Sequence, residues 1–177
     1  DDSLYETVKS ACNGNVLTYG SHDNDTLQIV SYKVYPTRTL VTFKYRNDTF
    51  DIESPLLGDF NVYNLAAGLL SVLALGLKME DVLVNIPKLK VDGRLDMLST
   101  NTPYYVMVDY AHTPNGIEKL LNFVHTLDIN RSIVVIGQAG ERDYLKRPKV
   151  GNVVVKNATH AIFTYEDPRS EDPMKIC

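Results

Sequence analysis

Three short apolar runs recur at equal intervals in the second half of the chain, and this spacing most constrains the fold. The runs begin at Tyr104, Ser132 and His160, 28 residues apart. Continuous apolar runs are typical of strands that are covered on both faces. An interval of about 30 residues is the length of one β-α-β unit. The pattern predicts an α/β fold with parallel strands at 104–108, 132–136 and 160–163, half of a doubly wound sheet.

The segment between the first two runs carries the signals of a helix. Thr113 is followed by Pro114, a capping residue and then a proline at the first helical position. Apolar residues follow with the spacing of an amphipathic helix, at Ile117, Leu120, Leu121 and Val124. A helix that begins at Pro114 is therefore predicted to connect the first two strands.

The first half of the chain has a different pattern. Segments 27–35, 38–46 and 49–54 are rich in β-branched and aromatic residues and are separated by turn residues, which predicts an antiparallel meander. Residues 61–77 are apolar most of the way round and predict a helix packed inside the protein, with a shorter helix at 79–86. The polar connector 87–93 indicates a boundary between two domains, 1–92 and 93–177.

Composition excludes several classes of protein. The chain is 44% hydrophobic and 23% charged with a net charge of −4, which argues against a nonspecific nucleic-acid binder. No apolar run reaches the length of about 20 residues that a membrane span needs. Cys12 and Cys177 are the only cysteines, which argues against a disulfide framework or a cysteine zinc site and favours the reducing cytoplasm. Because the chain starts at Asp1 without Met, we expect it to be a piece of a longer protein.

Charged residues concentrate in the loops that follow the three predicted parallel strands, at 109–112, 137–147 and 164–173. The carboxyl ends of parallel strands meet at one edge of a sheet, so these loops predict a site for a small molecule with anionic and cationic groups. Loops that are merely solvated remain the alternative. Asp109 could equally cap a helix, and His112 could be a hydrogen-bonded structural histidine.

Motifs for phosphate binding or nucleophilic catalysis are weak in this chain. It contains no Gly-Lys dipeptide and therefore no P-loop, while 137–140 (Gly-Gln-Ala-Gly) is only a weak anion-loop signal. A Gly-x-Ser-x-Gly elbow is also absent from the sequence. A bound nucleotide would have to be held partly by something outside this chain.

Five motifs in order resemble those of the ATP-dependent Mur ligases of peptidoglycan synthesis. Residues 58–67 are similar to Gly-x-Phe-Asn-x-x-Asn-x-x-Ala, 91–96 to the Gly-Arg-x-Glu hinge with Asp96 in place of Glu, and 109–114 to Asp-Tyr-Ala-His-x-Pro. Residues 137–148 resemble Gly-x-Gly-Gly-Asp-Arg-Asp-x-x-Lys-Arg-Pro, with Ala139 and Glu141 as departures. Residues 167–173 resemble the Asp-Asn-Pro-Arg-x-Glu-x-Pro loop of the type that adds the third amino acid, the MurE type.

The resemblance implies the C-terminal part of a P-loop central domain, with antiparallel strands and helices, followed by part of a Rossmann-like parallel-sheet domain. It implies an enzyme that uses ATP and Mg²⁺ to phosphorylate the terminal carboxylate of UDP-MurNAc-L-Ala-D-Glu, which the amine of a diamino acid then attacks. Catalytic and metal-binding residues are expected upstream of Asp1, so the chain alone is predicted to be inactive. A cytoplasmic monomer with no nucleic-acid or membrane partner is expected.

Site residues follow from the same resemblance. Nucleotide contacts are expected from five residues: Asn61 and Asn64 to adenine, Asp109 to the ribose, Arg94 to the phosphates, and His112. Arg142 and Arg169 are expected to bind the carboxylate of the amino acid, next to Asp167. Asp167 stands where enzymes specific for meso-diaminopimelate usually carry Asn and would favour a bare ammonium such as that of lysine, whereas Arg169 is kept by diaminopimelate enzymes. Diaminopimelate is placed slightly ahead.

Two other functions remain open from the sequence. One is another ligase of the superfamily, of the folylpolyglutamate or cyanophycin synthetase type, although Thr113 and the 167–173 loop count against it. The other is a noncatalytic paralogue that binds nucleotide or amino acid without turnover. An intact P-loop upstream would favour the ligase over the binding module.

Overall fold

The chain divides into two compact units, Asp1–Val91 and Asp92–Cys177. The computed structural model describes residues 4–98 and 101–177. No helix in the described ranges is long and apolar enough to cross a membrane. Each unit has its own paired strands and helices.

The first unit contains an initial helix, a four-stranded sheet and two further helices. Its elements are α1 (Tyr5–Ala11), β1 (Tyr19–Gly20), β2 (Leu27–Val34), β3 (Thr39–Tyr45), β4 (Asp48–Ser54), α2 (Asp59–Ala74) and α3 (Met79–Leu83), followed by a 3₁₀ turn at Ile86–Lys88. The strands follow the order β1-β2-β3-β4; β1 runs parallel to β2, and the other neighbours are antiparallel. The predicted antiparallel meander is confirmed, with strand ends within one residue of the prediction.

Helix α2 buries one face rather than its whole circumference. Its buried positions follow the spacing of an amphipathic helix, at Asn61, Val62, Leu65, Ala66, Leu69 and Leu70, whereas Asn64, Gly68 and Ser71 are exposed. The buried face packs on β2 and β3 through a core that includes Leu27, Val41 and Phe43. The prediction of a helix packed inside the protein was wrong for the outer face, because alanine and glycine there made that face read as apolar.

The second unit contains three helices and two separate pairs of strands. Its elements are β5 (Asp96–Leu98), β6 (Val106–Val108), α4 (Pro114–His125), β7 (Ile133–Gln138), α5 (Arg147–Asn157), β8 (His160–Tyr165) and α6 (Pro173–Ile176), with a 3₁₀ turn at Tyr144–Lys146. Helix α4 begins as predicted, because the side chain of Thr113 accepts a hydrogen bond from the backbone N–H of Gly116 at 3.2 Å.

Strands β7 and β8 form the predicted parallel pair, in register from Ile133 opposite His160 to Gln138 opposite Tyr165. Helices α4 and α5 cover one face of this pair through a core of Ile117, Leu121, Val150 and Val154. The opposite face is exposed in the described part of the chain, where Ile133, Val135 and Ile162 are each more than half accessible. The prediction that these strands are covered on both faces was therefore wrong for this chain.

Strand β6 does not join β7 in the described residues. It pairs antiparallel with β5, from Asp96 opposite Val108 to Leu98 opposite Val106. A cavity of about 680 Å³ is lined instead by residues of β6, α4 and β7. The prediction of three adjacent parallel strands was wrong in this respect, because an apolar run predicts a buried strand but does not identify its neighbour.

Candidate ligand-binding site

Two charged loops meet at the carboxyl end of the β7–β8 pair because the two strands end side by side. The backbone N–H of Gly140 in the first loop donates to the backbone carbonyl of Asp167 in the second at 2.7 Å. A Cβ atom on Gly140 would lie 2.0 Å from the carbonyl oxygen of Pro168, a distance that no side chain tolerates. The lack of a side chain at Gly140 therefore allows the two loops to touch.

An ion pair joins the same two loops. The guanidinium of Arg147 donates two hydrogen bonds to the carboxylate of Glu171, at 2.8 and 3.0 Å, and a third to the backbone carbonyl of Ala139 at 3.2 Å. Glu171 also accepts the backbone N–H of Glu141. The hydrogen bonds from Arg147, supported by the one from Glu141, hold the pKa of Glu171 at about 2, against an ordinary value of 4.5. A forked guanidinium bonded to one carboxylate fixes both loops in one geometry.

Arg169 lies between two carboxylates. Its Nε atom is 3.6 Å from Oδ2 of Asp167, and its NH1 atom is 4.0 Å from Oε2 of Glu141. The backbone N–H of Arg169 also donates to Oδ1 of Asp167 at 3.2 Å. The structure therefore brings together Asp167 and Arg169, two of the three residues predicted to contact an amino acid.

Arg142, the third of those residues, follows Glu141 in the first loop and is exposed. Its side chain makes no hydrogen bond or ion pair with any residue of ranges 4–98 and 101–177. The positive charge of Arg142 therefore has no ion-pair partner among the described residues, whereas Arg169 pairs with two carboxylates.

A second cluster in this unit contains three predicted nucleotide contacts. The carboxylate of Asp109 accepts the backbone N–H groups of Leu95 and Ala111, both at 2.7 Å. Leu95 has a φ of 45°, a left-handed backbone conformation that is unfavourable for any residue except glycine and persists only when surrounding contacts stabilise it. Asp109 thus fixes the backbone next to Arg94 and retains acceptor capacity on both oxygens.

Tyr110 joins Arg94 and His112 in this cluster. The guanidinium of Arg94 lies 4.7 Å from the centroid of the Tyr110 ring, and the His112 ring meets the same ring edge-on at 5.1 Å between centroids. His112 Nδ1 is 3.1 Å from the backbone carbonyl of Tyr110. Contact with the aromatic face favours this position of the exposed guanidinium by about 0.5 to 1 kcal/mol.

Asn61 and Asn64 belong to the first unit, at the start of α2. The Asn64 amide nitrogen donates to Oδ1 of Asn61 at 3.0 Å, and the Asn61 amide nitrogen donates to the backbone carbonyl of Leu57 at 2.7 Å. Asn61 is buried, whereas Asn64 is exposed and keeps its carbonyl oxygen and one N–H for a ligand. Asn61 thus positions the Asn64 amide, which presents both a donor and an acceptor.

Sequence reasoning missed four residues of these clusters: Tyr110, Glu141, Arg147 and Glu171. All four lie inside the motifs described above, but nothing in those motifs assigned them a contact of their own. Arg147 and Glu171 are 24 positions apart, so only the parallel register of β7 and β8 brings them together. Opposite charges in the two loops were the available signal. No group of three His, Cys, Asp or Glu side chains suited to a metal ion occurs among the described residues.

Comparison with known protein families identifies both units. Residues 93–177 match the family described as "Mur ligase, glutamate ligase domain", and residues 1–72 match "Mur ligase middle domain". The chain belongs to the Mur ligase family. The fold class predicted from the sequence, antiparallel strands and helices followed by an α/β part with parallel strands, is confirmed by this assignment and by solved Mur ligases.

Several relatives of this Mur ligase chain match nearly all of it. It is 33% identical over 177 residues to UDP-N-acetylmuramoyl-L-alanyl-D-glutamate--2,6-diaminopimelate ligase of Bacillus velezensis, and 31% identical over 179 residues to the corresponding L-lysine ligase of Staphylococcus aureus. Each alignment covers 99% of this chain and 36% of the relative. The chain thus spans just over a third of the length of the curated relatives it matches.

Solved structures give the same result at the level of the fold. A structure of a UDP-N-acetylmuramoyl-L-alanyl-D-glutamate--2,6-diaminopimelate ligase is 31% identical with a TM-score of 0.62, covering 99% of this chain and 37% of that one. Folylpolyglutamate synthase of Mycobacterium tuberculosis, solved with ADP, reaches a TM-score of 0.73 at 20% identity, covering 98% and 38%. At that identity the second likeness shows a shared fold alone.

Proposed function

We propose that this chain is part of an ATP-dependent ligase that adds a diamino acid, the third residue of the peptide, to UDP-MurNAc-L-Ala-D-Glu. The observation that carries the proposal is the pair of joined loops that hold Arg169 between Asp167 and Glu141 and leave Arg142 free. Neighbouring positive and negative groups suit a substrate that carries an ammonium and a carboxylate. Relatives above 30% identity that are named for this reaction support the same choice.

ATP with Mg²⁺ would supply the phosphoryl group that activates the substrate. Transfer of that group to a carboxylate oxygen gives an acyl phosphate and ADP. The amine of the diamino acid then attacks the acyl carbon, phosphate leaves with the bonding electrons, and the nitrogen loses a proton. The phosphate-binding loop, the metal ligands and the catalytic residues are proposed to lie outside this chain.

The residues of this chain are proposed to bind and orient the reactants. Asn64, supported by Asn61, would contact adenine, and Asp109 would accept hydrogen bonds from ribose hydroxyls. Arg94, restrained by Tyr110, would face the phosphates with His112 nearby, where a fixed positive charge stabilises developing negative charge. Arg142 and Arg169 would bind carboxylate groups of the incoming amino acid, with Arg169 contacting the one at the distal end of diaminopimelate.

The choice between amino acids and the setting of the reaction belong to the same proposal. The sequence places meso-diaminopimelate slightly ahead of L-lysine, since Arg169 provides a partner for a second carboxylate. Nucleotide substrates and a chain with only two cysteines favour the cytoplasm, and a monomer without nucleic-acid or membrane partners is proposed.

The test is ADP formation by the full-length protein that contains this chain. We expect ADP release only when UDP-MurNAc-L-Ala-D-Glu and either meso-diaminopimelate or L-lysine are both present. The 177-residue chain alone is expected to release none. Nucleotide binding without turnover by the full-length protein would favour the noncatalytic paralogue, and turnover with a folate and glutamate would favour the folylpolyglutamate type.

A further inference from the structure

We propose that Glu141 tunes the amino-acid specificity of this site, by weakening its preference for amino acids that carry a carboxylate at their distal end. The inference rests on the proposed function, because it assigns a role within the amino-acid site. Glu141 is one of two departures from the family motif in residues 137–148.

The position of Glu141 is held by both loops. Its Oε1 atom accepts the hydroxyl and the backbone N–H of Ser170, the latter at 3.3 Å, and its own N–H donates to Glu171. Bonds at the backbone and at the side chain leave the carboxylate little freedom. Its other oxygen, Oε2, then points toward Arg169 at 4.0 Å.

Backbone conformation is a second, independent observation at the same contact. Glu141 has a φ of 54° and Arg169 has a φ of 51°, so both facing residues adopt the left-handed region. Such a conformation is unfavourable for a residue other than glycine. The two strained residues face each other across hydrogen-bonded loops, so a ligand that binds Arg169 has to share its guanidinium with Asp167 and Glu141.

The charge around Arg169 therefore discriminates between two kinds of distal group. Asp167 and Glu141 place two negative charges beside one positive charge, whereas the carboxylate of Glu171 is matched by Arg147. A substrate carboxylate has to compete with both side chains for Arg169. A lone ammonium needs no contact with Arg169 and can lie beside the two carboxylates, so it faces no such competition.

The experiment compares kcat/KM for meso-diaminopimelate with kcat/KM for L-lysine in the full-length protein. We expect Glu141→Gln to raise the ratio of the two values about fivefold in favour of diaminopimelate, the scale of a partly exposed charge pair. Glutamine keeps the acceptor for Ser170, so the loop geometry is retained. Glu141→Asp keeps the charge and is expected to stay near the wild-type ratio.

Glu118→Gln is the matched control, because it removes an exposed carboxylate from α4. An unchanged ratio in Glu141→Gln, or an equal rise in Glu118→Gln, would overturn the inference while leaving the ligase proposal intact. If the wild type turns over neither amino acid, the ligase proposal fails, and the increase in Tm caused by each amino acid then reads out the same discrimination without turnover. No increase in Tm with either amino acid would overturn both.

Discussion

At the scale of single residues, the joined loops depend on an ion pair and on one missing side chain. Arg147 and Glu171 connect the ends of β7 and β8, and the side chains are 13% and 32% exposed. Gly140 lets the backbone of one loop rest on the other. Because Arg169 belongs to the second of these loops, residues that never touch a ligand still determine where its guanidinium lies.

Glu171→Gln should change the pH dependence of stability. The pKa of Glu171 is lowered from 4.5 to about 2 on folding, so its carboxylate stabilises the fold fully above pH 4.5. That contribution is lost as the pH falls through about 2. The difference in free energy of unfolding between wild type and Glu171→Gln, measured by urea denaturation, should be constant from pH 7 to 5 and should shrink below pH 4.5. A difference that grows on acidification would contradict this account.

Gly140→Ala should destabilise the protein by about 1 to 3 kcal/mol, because the added Cβ forces the loops apart. Gly68→Ala is a matched control in α2: a Cβ there meets nothing within 4 Å, so the helical propensity of alanine should stabilise the chain by about 1 kcal/mol. Thermal unfolding of both variants checks the sign. Hydrogen exchange at residue 140 should accelerate in Gly140→Ala, because its bond to Asp167 is lost.

At the scale of elements, helix α5 contributes half of the buried core that it forms with α4 in the second unit. Val154 is fully buried, and it packs with Val150 against residues of α4. Val155, the next residue, points outward and is 63% exposed. Helix α5 also begins at Arg147, so its packing positions the guanidinium that joins the loops.

Val154→Ala should lower the free energy of unfolding by about 2 kcal/mol, from two buried methyl groups and the cavity that they leave. The same change at Val155 should cost almost nothing, since that side chain buries little surface. Urea denaturation of the two variants gives the comparison. Equal losses at both positions would show that the exposed face of α5 is covered in solution.

Sequence patterns predicted elements well and neighbours poorly. The β2–β4 meander and helix α4 were predicted closely, because alternation, turn residues and a capping threonine act locally. Pairing of β6 with β5, and of Arg147 with Glu171, depends on contacts between distant segments that no local pattern encodes. Asp109 lies between these cases. Its place at the end of a strand was predicted, but its hydrogen bond to the strained backbone of Leu95 was not.

At the scale of the whole molecule, the chain consists of two units joined through an exposed segment. The boundary between the two units falls between Val91 and Asp92 in the chain. The preceding residues Lys88, Leu89 and Lys90 are exposed. The first family match ends at residue 72 and the second begins at 93. Exposed connectors between compact units are preferred sites of proteolysis.

Limited trypsin digestion should therefore cut first after Lys88 or Lys90. Mass spectrometry of the early products is expected to show one fragment for each unit. Lys88→Gln combined with Lys90→Gln should slow this cleavage and leave later sites unaffected. First cuts within β2–β4 or between β7 and β8 would show that a sheet opens more readily than the connector.

The close backbone contact between Gly140 and Pro168 restricts how the two joined loops can be exchanged by engineering or change during evolution. Since the backbone of one loop rests on Pro168 of the other, neither loop can be transplanted from a homologous enzyme alone without a mismatch at their junction. A chimera would have to exchange both segments as one cassette, together with the Arg147 and Glu171 partners. In related enzymes, a change of amino-acid substrate should therefore be accompanied by correlated substitutions in both joined loops.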